Sequence, residues 1–366
     1  MRIYRMFMIL LLLMFAASPL FAEDFYLDSP YNKGTLRFEI DNDAIWDSDS
    51  NFSNGWSLQY HTTRYATWDE TKVVPGFMGG AIKWVGNHFP TLGDDASIVR
   101  YGQGLGQNMI TPEDISNPNP PPGDVPYAGT LTYTLNWQRF NRKTASNFQI
   151  TAGVLGEESR AEWFQKTVHE IIDSTEPQGW DTQRDTEPIL NLAYQYNWRL
   201  AHFGEYTDGW AGQLSLTPTV QLGNLITSAE LGLGFRTGWN MPEGFSALSA
   251  PPGRGLFTDY HIPKPSGASR HGVELVLAGR ATGLAYSVLY DGSVITDDDR
   301  EVEREDFILT GLVGLNYHYY KRLSIRLALV FTSDLLKEEF LPEPRPGEEK
   351  TSTDNSYGTF MIDVYF

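Results

Sequence analysis

Oxygen-bearing side chains crowd one short stretch of the chain. In DNDAIWDSDSNFSN, residues 41–54, Asp41, Asn42, Asp43, Asp47, Asp49, Asn51, Ser53 and Asn54 offer hard donors at a density that suits Ca²⁺, which takes about six to eight oxygens in flexible geometry. DSDSN echoes the start of an EF-hand loop, but Phe52 stands where that loop needs glycine and Leu58 where it needs its closing glutamate, so it is not one. A solvated loop built from turn-forming residues has the same composition. The second candidate is His169, one helical turn after Gln165 in EESRAEWFQKTVHEIIDS. At the edge of an apolar helix face, a histidine can serve as general base beside a hydrophobic acyl chain. A plain surface histidine has the same local pattern, and six others occur in the chain.

The element under His169 is the clearest helical signal. Ser159 and Glu162 have the spacing of a capping box, and Phe164, Val168, Ile171 and Ile172 recur so as to form one apolar face. A short amphipathic helix is therefore expected within the connection 156–187.

Everything else alternates with period two. In TLTYTLNW, Leu131, Tyr133, Leu135 and Trp137 share one face and Thr130, Thr132, Thr134 and Asn136 the other; the turn NRKTAS then leads into NFQITAGVL to make a hairpin. The same pattern returns in ILNLAYQYNW, QLSLTPTVQL, AELGLGFR and LSIRLALVF. A soluble sandwich alternates too. The end of the chain favours a membrane barrel, since Phe360, Ile362, Val364 and Phe366 alternate up to a terminal aromatic carboxylate, as in the last strand of outer-membrane barrels. Trp137, Phe140, Trp198, Tyr319 and Tyr320 stand near strand ends, as interface girdles do.

The pattern predicts an all-β, 12-stranded antiparallel transmembrane barrel with strands near 35–42, 55–66, 96–109, 127–139, 146–155, 188–199, 211–222, 225–237, 271–281, 306–319, 322–333 and 355–366. Parity then sends 43–54, 110–126, 156–187, 282–305 and 334–354 outward, so the acidic loop and the His169 helix share one end. Residues 67–95 and 238–270 are long for the periplasmic side, which suggests that strands two and eight extend further.

Composition sets the compartment. Residues 1–22 carry Arg2 and Arg5, a short apolar run broken by Pro19 and a small residue at Ala22, the layout of a cleaved signal peptide; the run is too short for a spanning anchor. Residues 23–366 would then form one domain in a Gram-negative outer membrane, delivered to the barrel-assembly machinery. There is no cysteine, so no disulfide staples the exported chain. A formal charge of −18 argues against nucleic acid as a partner and suits divalent cations.

Three stretches together, RFEIDNDAIWDSDSNFSNGWSL, TPED…DVPYAG at 111–129 and GVLGEESRAEWFQKTVHEIIDS…PQGWDTQ…EP at 153–188, resemble the outer-membrane lipid A 3′-O-deacylase family. The resemblance implies a 12-stranded barrel and a Ca²⁺-dependent esterase that removes the 3′-linked acyloxyacyl group of lipid A in the outer leaflet. It places the family's metal- and water-organising residues on Asn42, Asp43 and Ser53, and its catalytic base on His169. One departure stands out: the family carries a lysine in the loop after the third strand, and residues 103–141 contain none. Two other readings compete. S-N-G also surrounds the nucleophilic serine of outer-membrane phospholipase A, but there a histidine precedes the serine by two positions, where this chain has Asn51. A non-enzymatic barrel or porin would share the strand pattern and be indifferent to His169.

Overall fold

A computed structural model of the chain describes residues 25–42, 54–89, 91–92, 97–121, 123–246, 259–337 and 356–366. The expected signal peptide, Asp43, Ser53 and the rest of the acidic loop after Asn42 and before Asn54 lie outside the described residues.

The expected barrel forms. Strands β1 (Thr35–Asn42), β2 (Asn54–His61), β3 (Ile98–Ile110), β4 (Ala128–Phe140), β5 (Thr144–Leu155), β6 (Glu187–Gly204), β7 (Trp210–Gly223), β8 (Ile226–Trp239), β11 (His271–Ser287), β12 (Phe307–Tyr319), β13 (Leu323–Thr332) and β14 (Tyr357–Tyr365) close into one antiparallel ring. Register explains the alternation. Phe38, Leu58, Leu105 and Tyr133 pair in sequence across β1 to β4 and stay exposed on the outward face. Their neighbours Arg37, Glu39, Gln59 and Thr134 point inward and are buried. A hydrocarbon surround offers no water to an open sheet edge, so β1 must meet β14. At that seam Arg37 lies opposite Asp363 and grips it with two hydrogen bonds of 2.6 and 2.8 Å.

The interior is packed. Glu274 accepts from Arg236 at 2.6 Å and from Asn316 at 2.6 Å, Arg326 donates to Asn316, and Glu39 accepts from Ser57 and Gln59. The buried Arg236–Glu274 pair is tolerated because its charges are matched and hydrogen-bonded. The mouth at the end holding both described chain ends is closed by a small hairpin, β9 (Gly244–Ser246) with β10 (Asp259–His261). Its Phe245 and Tyr260 pack on the inward Ile98 and Phe140, and Tyr260 donates to Gln195 at 3.0 Å. A bore so filled is unlike an open pore.

Several expectations are corrected here. Strand β8 runs only to Trp239, and of the segment that follows, Gly244–Ser246 and Asp259–His261 pair as the hairpin across the mouth. Strand β2 stops at His61, and the following segment forms an unexpected helix, α1 (Gly79–His88), against the barrel's outside. Three of the supposed girdle aromatics are not lipid-facing: Phe140 points inward to Tyr260, Tyr320 is buried with its hydroxyl on the Asn240 carbonyl, and α1 covers Trp137.

At the opposite end the outer connections interlock. Arg184 donates to Asp298 at 3.0 Å and to the carbonyls of Arg300 and Leu289, while Arg300 reaches back to the carbonyls of Thr182 and Gln183. Burial alone would raise the Asp298 carboxyl, but hydrogen bonds from Arg300 and the Asp185 N–H, with the charge of Arg184, bring it down to about 2. That value lies below the ordinary 3.8, so the clasp gives its full stabilisation above about pH 4 and loses it as pH falls toward about 2. Asp298→Asn should leave the barrel heat-modifiable on gels yet weaken the loop clasp by roughly 3 kcal/mol, read as faster hydrogen exchange over 180–186. Unchanged exchange would refute the clasp.

Candidate active site

The outer rim of the wall between β1 and β4 carries a register-aligned row: Asn42 faces Asn54, Asn54 faces Met109, and Met109 faces Gly129. All four stand in the same outward-facing series as Phe38, Leu58, Leu105 and Tyr133, since side chains two apart share a face. The row should therefore meet lipid or water. Instead Met109 is fully buried, because the connection after β5 folds back over it.

That connection begins with a 3-10 turn (Glu157–Ser159) and continues as helix α2 (Ala161–Ile172). The expected capping box does not form. Arg160, in the left-handed region at φ 58°, separates Ser159 from the helix; Ser159 Oγ accepts from the Ala161 N–H, and Glu162 accepts from Lys166 at 2.8 Å instead. Two close approaches seat the helix on the wall. Gln107 donates to the Ser159 carbonyl at 2.7 Å, and at Gly129 a Cβ atom would lie 2.3 Å from Ala161 Cβ, so only glycine admits the helix start.

The stripe facing the wall is Ala161 with Gln165, flanked by Phe164 on Trp56 with ring centroids 5.9 Å apart. Ile171, expected on the apolar face with Phe164 and Val168, is 77% exposed, and Trp163 is exposed beside it. The Ile172 side chain lies outside the described ones. The helix thus turns one apolar flank outward, away from the barrel wall. Its other flank carries His169, one turn after the buried Gln165, with Lys166 beyond.

Gln165 is buried, and its carbonyl oxygen accepts from the Trp180 indole at 2.8 Å. Trp180 stacks obliquely on Tyr127 at 4.9 Å, and a Cβ at Gly179 would strike the Tyr127 ring. Tyr127 donates to the Ile115 carbonyl, which also receives the Gln178 N–H. Nearby, Asp124 accepts from the Glu113 and Val125 N–H groups, and burial pushes its carboxyl up to about 6. TPED, PYAG, Q-x-x-x-H and GWD therefore converge on one cluster, although most of their residues are supports rather than reagents.

His169 is half-exposed, and its Nδ1 lies 2.5 Å from the Thr175 carbonyl. A carbonyl can only accept, so Nδ1 carries a proton, and in the neutral ring the lone pair is on Nε2. Of the expected site residues, Asn42 shares the rim and the outward face that α2 covers; Asp43 and Ser53 lie outside the described residues, adjacent in the chain to Asn42 and Asn54. Among the described residues no cluster of three or more histidines and carboxylates could hold a metal. Asn54 Oδ1, next to Ser53 in the chain, is buried without a hydrogen-bond partner. Gln107, Gln165 and Trp180 were not singled out as functional by pattern; only the fixed spacing from Gln165 to His169 and the GWD run pointed toward two of them.

A family profile described as "Outer membrane protein LpxR" matches residues 6–344. Among solved structures, LpxR from Salmonella typhimurium superposes with a TM-score of 0.67 at 14% identity, covering 91% of this chain and 100% of that one. The β domain of the Bordetella autotransporter BrkA covers 91% of this chain and 98% of that one at 8% identity, with a TM-score of 0.37. No curated protein matches the sequence. With a profile match across most of its length and a common barrel, this chain belongs to the outer membrane protein LpxR family.

Proposed function

We propose that this protein is a lipid A 3′-O-deacylase that hydrolyses the ester holding the 3′-acyloxyacyl group in the outer leaflet. One observation carries the reading: a histidine with a free Nε2 lone pair sits on a helix laid against the lipid side of the barrel, at the outer rim. A base inside the lumen could not reach a lipid, whereas one on this flank meets a headgroup as it lies in the membrane.

His169 Nε2 takes a proton from water, and the resulting hydroxide attacks the ester carbonyl carbon. The tetrahedral species collapses with cleavage of the bond to the sugar 3′-oxygen, which regains the proton from the imidazolium. The Thr175 carbonyl holds the ring in one tautomer throughout, and Gln165 fixes the helix through Trp180. Trp163 and Ile171 form the opposite, apolar flank, which would face the surrounding lipid.

The proposed cation is Ca²⁺, with Asn42, Asp43 and Ser53 as its donors and the orphaned Asn54 Oδ1 as a fourth. When bound, it would supply the positive charge that stabilises a carbonyl oxygen as it becomes anionic. That charge matters here because residues 103–141 contain no lysine.

Mass spectrometry of lipid A from cells expressing the chain tests the reading. Wild type should remove the 3′ acyloxyacyl mass, His169→Ala should cut the rate about 10²- to 10⁴-fold, and a chelator should stop it. Intact lipid A from cells whose barrel is folded and heat-modifiable would sink the proposal. Gly129→Val should also abolish activity while leaving the barrel folded, because the helix can no longer seat; full activity in that variant would contradict the wall-and-helix cleft.

A further inference from the structure

Trp137 belongs to the outward row of β4, yet only 1% of it is exposed. The cover is the segment that leaves the sheet after β2 and runs along the outside of the barrel at its inner end. Trp137 Nε1 donates to the Ile82 carbonyl of α1 at 2.8 Å. Phe89 stacks on Phe148 of β5 with centroids 4.2 Å apart, and Trp68 presses against Gly86 so closely that a Cβ there would sit 2.3 Å from the indole. The segment is then pinned at Thr91, whose carbonyl accepts from Arg139 at 2.8 Å and from Ser146 at 3.1 Å. Helix α1 is thus held firmly on the lipid side of β3 to β5.

Residue spacing gives α1 three faces. Ile82, Val85, Gly86 and Phe89 meet the wall. Lys83 and Asn87 form a polar side and both bond to Asp69. The third face is apolar and open: Trp84 is 63% exposed and stacks on His88, and just before the helix Val74 and Phe77 are exposed, Phe77 by 88%. A helix bound to a soluble protein's wall needs one apolar face, not two. The second is accounted for if it continues the lipid-facing belt, whose exposed Leu105 and Tyr133 lie on the same strands β3 and β4. Tryptophan beside a polar helix side is also the composition of interfacial helices.

We propose that α1 is a monotopic interfacial helix, seating Val74, Phe77 and Trp84 among the inner-leaflet phospholipids while its Lys83 and Asn87 side stays wetted. The barrel is thereby tied to the inner leaflet by a wedge outside its own wall, independently of any chemistry at the outer rim.

Because the chain has no cysteine, single cysteines can carry a spin label without background. The labelled sites are Phe77→Cys and Trp84→Cys, with Leu105→Cys as the lipid-belt reference and Asn87→Cys as the wetted reference. Each folded, heat-modifiable variant is reconstituted in phosphatidylethanolamine–phosphatidylglycerol vesicles, and collision with oxygen is compared with collision with a water-soluble nickel chelate. The oxygen-to-nickel ratio at 77 and 84 should exceed that at 87 several-fold and approach that at 105. Ratios at 77 and 84 equal to that at 87 would overturn the proposal by placing the face in water. Spin–spin broadening at 84 would overturn it too, by showing that a second copy covers the face.

Discussion

The structure depends on a closed ring of hydrogen bonds. In hydrocarbon an unpaired strand edge has no substitute partner, so β1 and β14 must be joined, and the seam carries the Arg37–Asp363 fork on its inner side. Closing a ring of this size leaves a bore that side chains can fill, and here they do, with Glu274, Arg236 and Asn316 at one level and the β9–β10 hairpin across the mouth. A sealed interior leaves only the outer wall for chemistry on a lipid. The wall therefore carries the site proposed above, in place of the pocket of a soluble hydrolase.

Making a site on a convex, apolar surface requires something to lean on it. Helix α2 does so through contacts that tolerate little change: Gly129 beneath Ala161, Gln107 under Ser159, and the ladder from Tyr127 through Trp180 to Gln165. The Arg184–Asp298 clasp secures the far side of the same connection to the loop between β11 and β12. Precision at His169 thus comes from packing several residues away, and most of the motif residues serve that packing.

The strands were legible because the membrane enforces period two: apolar side chains are needed at outward positions along the lipid belt, and Leu58, Leu105, Tyr133 and Phe360 supply them. Parity then brought the Asn42 loop and the His169 helix to one end without any long-range information. What was hidden had physical reasons. Gly79, Gly80 and Gly86 weaken the helical signal of α1, and its two apolar faces blur the single stripe by which a helix is recognised. Trp137 and Phe140 both look like girdle residues in sequence, but one lies under α1 and the other under the hairpin, and neither cover is local. Arg184 and Asp298 are separated by four whole barrel strands and the hairpin, so nothing near either residue announces the other. The capping box failed because Arg160 adopts a left-handed turn between its two members, which spacing alone cannot show.

An outward flank bearing Trp163 and Ile171 has a consequence for how the proposed enzyme would meet its substrate. A catalyst opening sideways into a bilayer samples a sheet rather than a volume. Its effective substrate level is an area density set by how many molecules share the leaflet, and dilution of the surrounding medium leaves it unchanged. Encounter is lateral diffusion with the headgroup already oriented, so part of the rotational search is over before contact. The remaining lipid stays in the plane after cleavage, and clearance of the site becomes exchange between neighbours in a two-dimensional fluid.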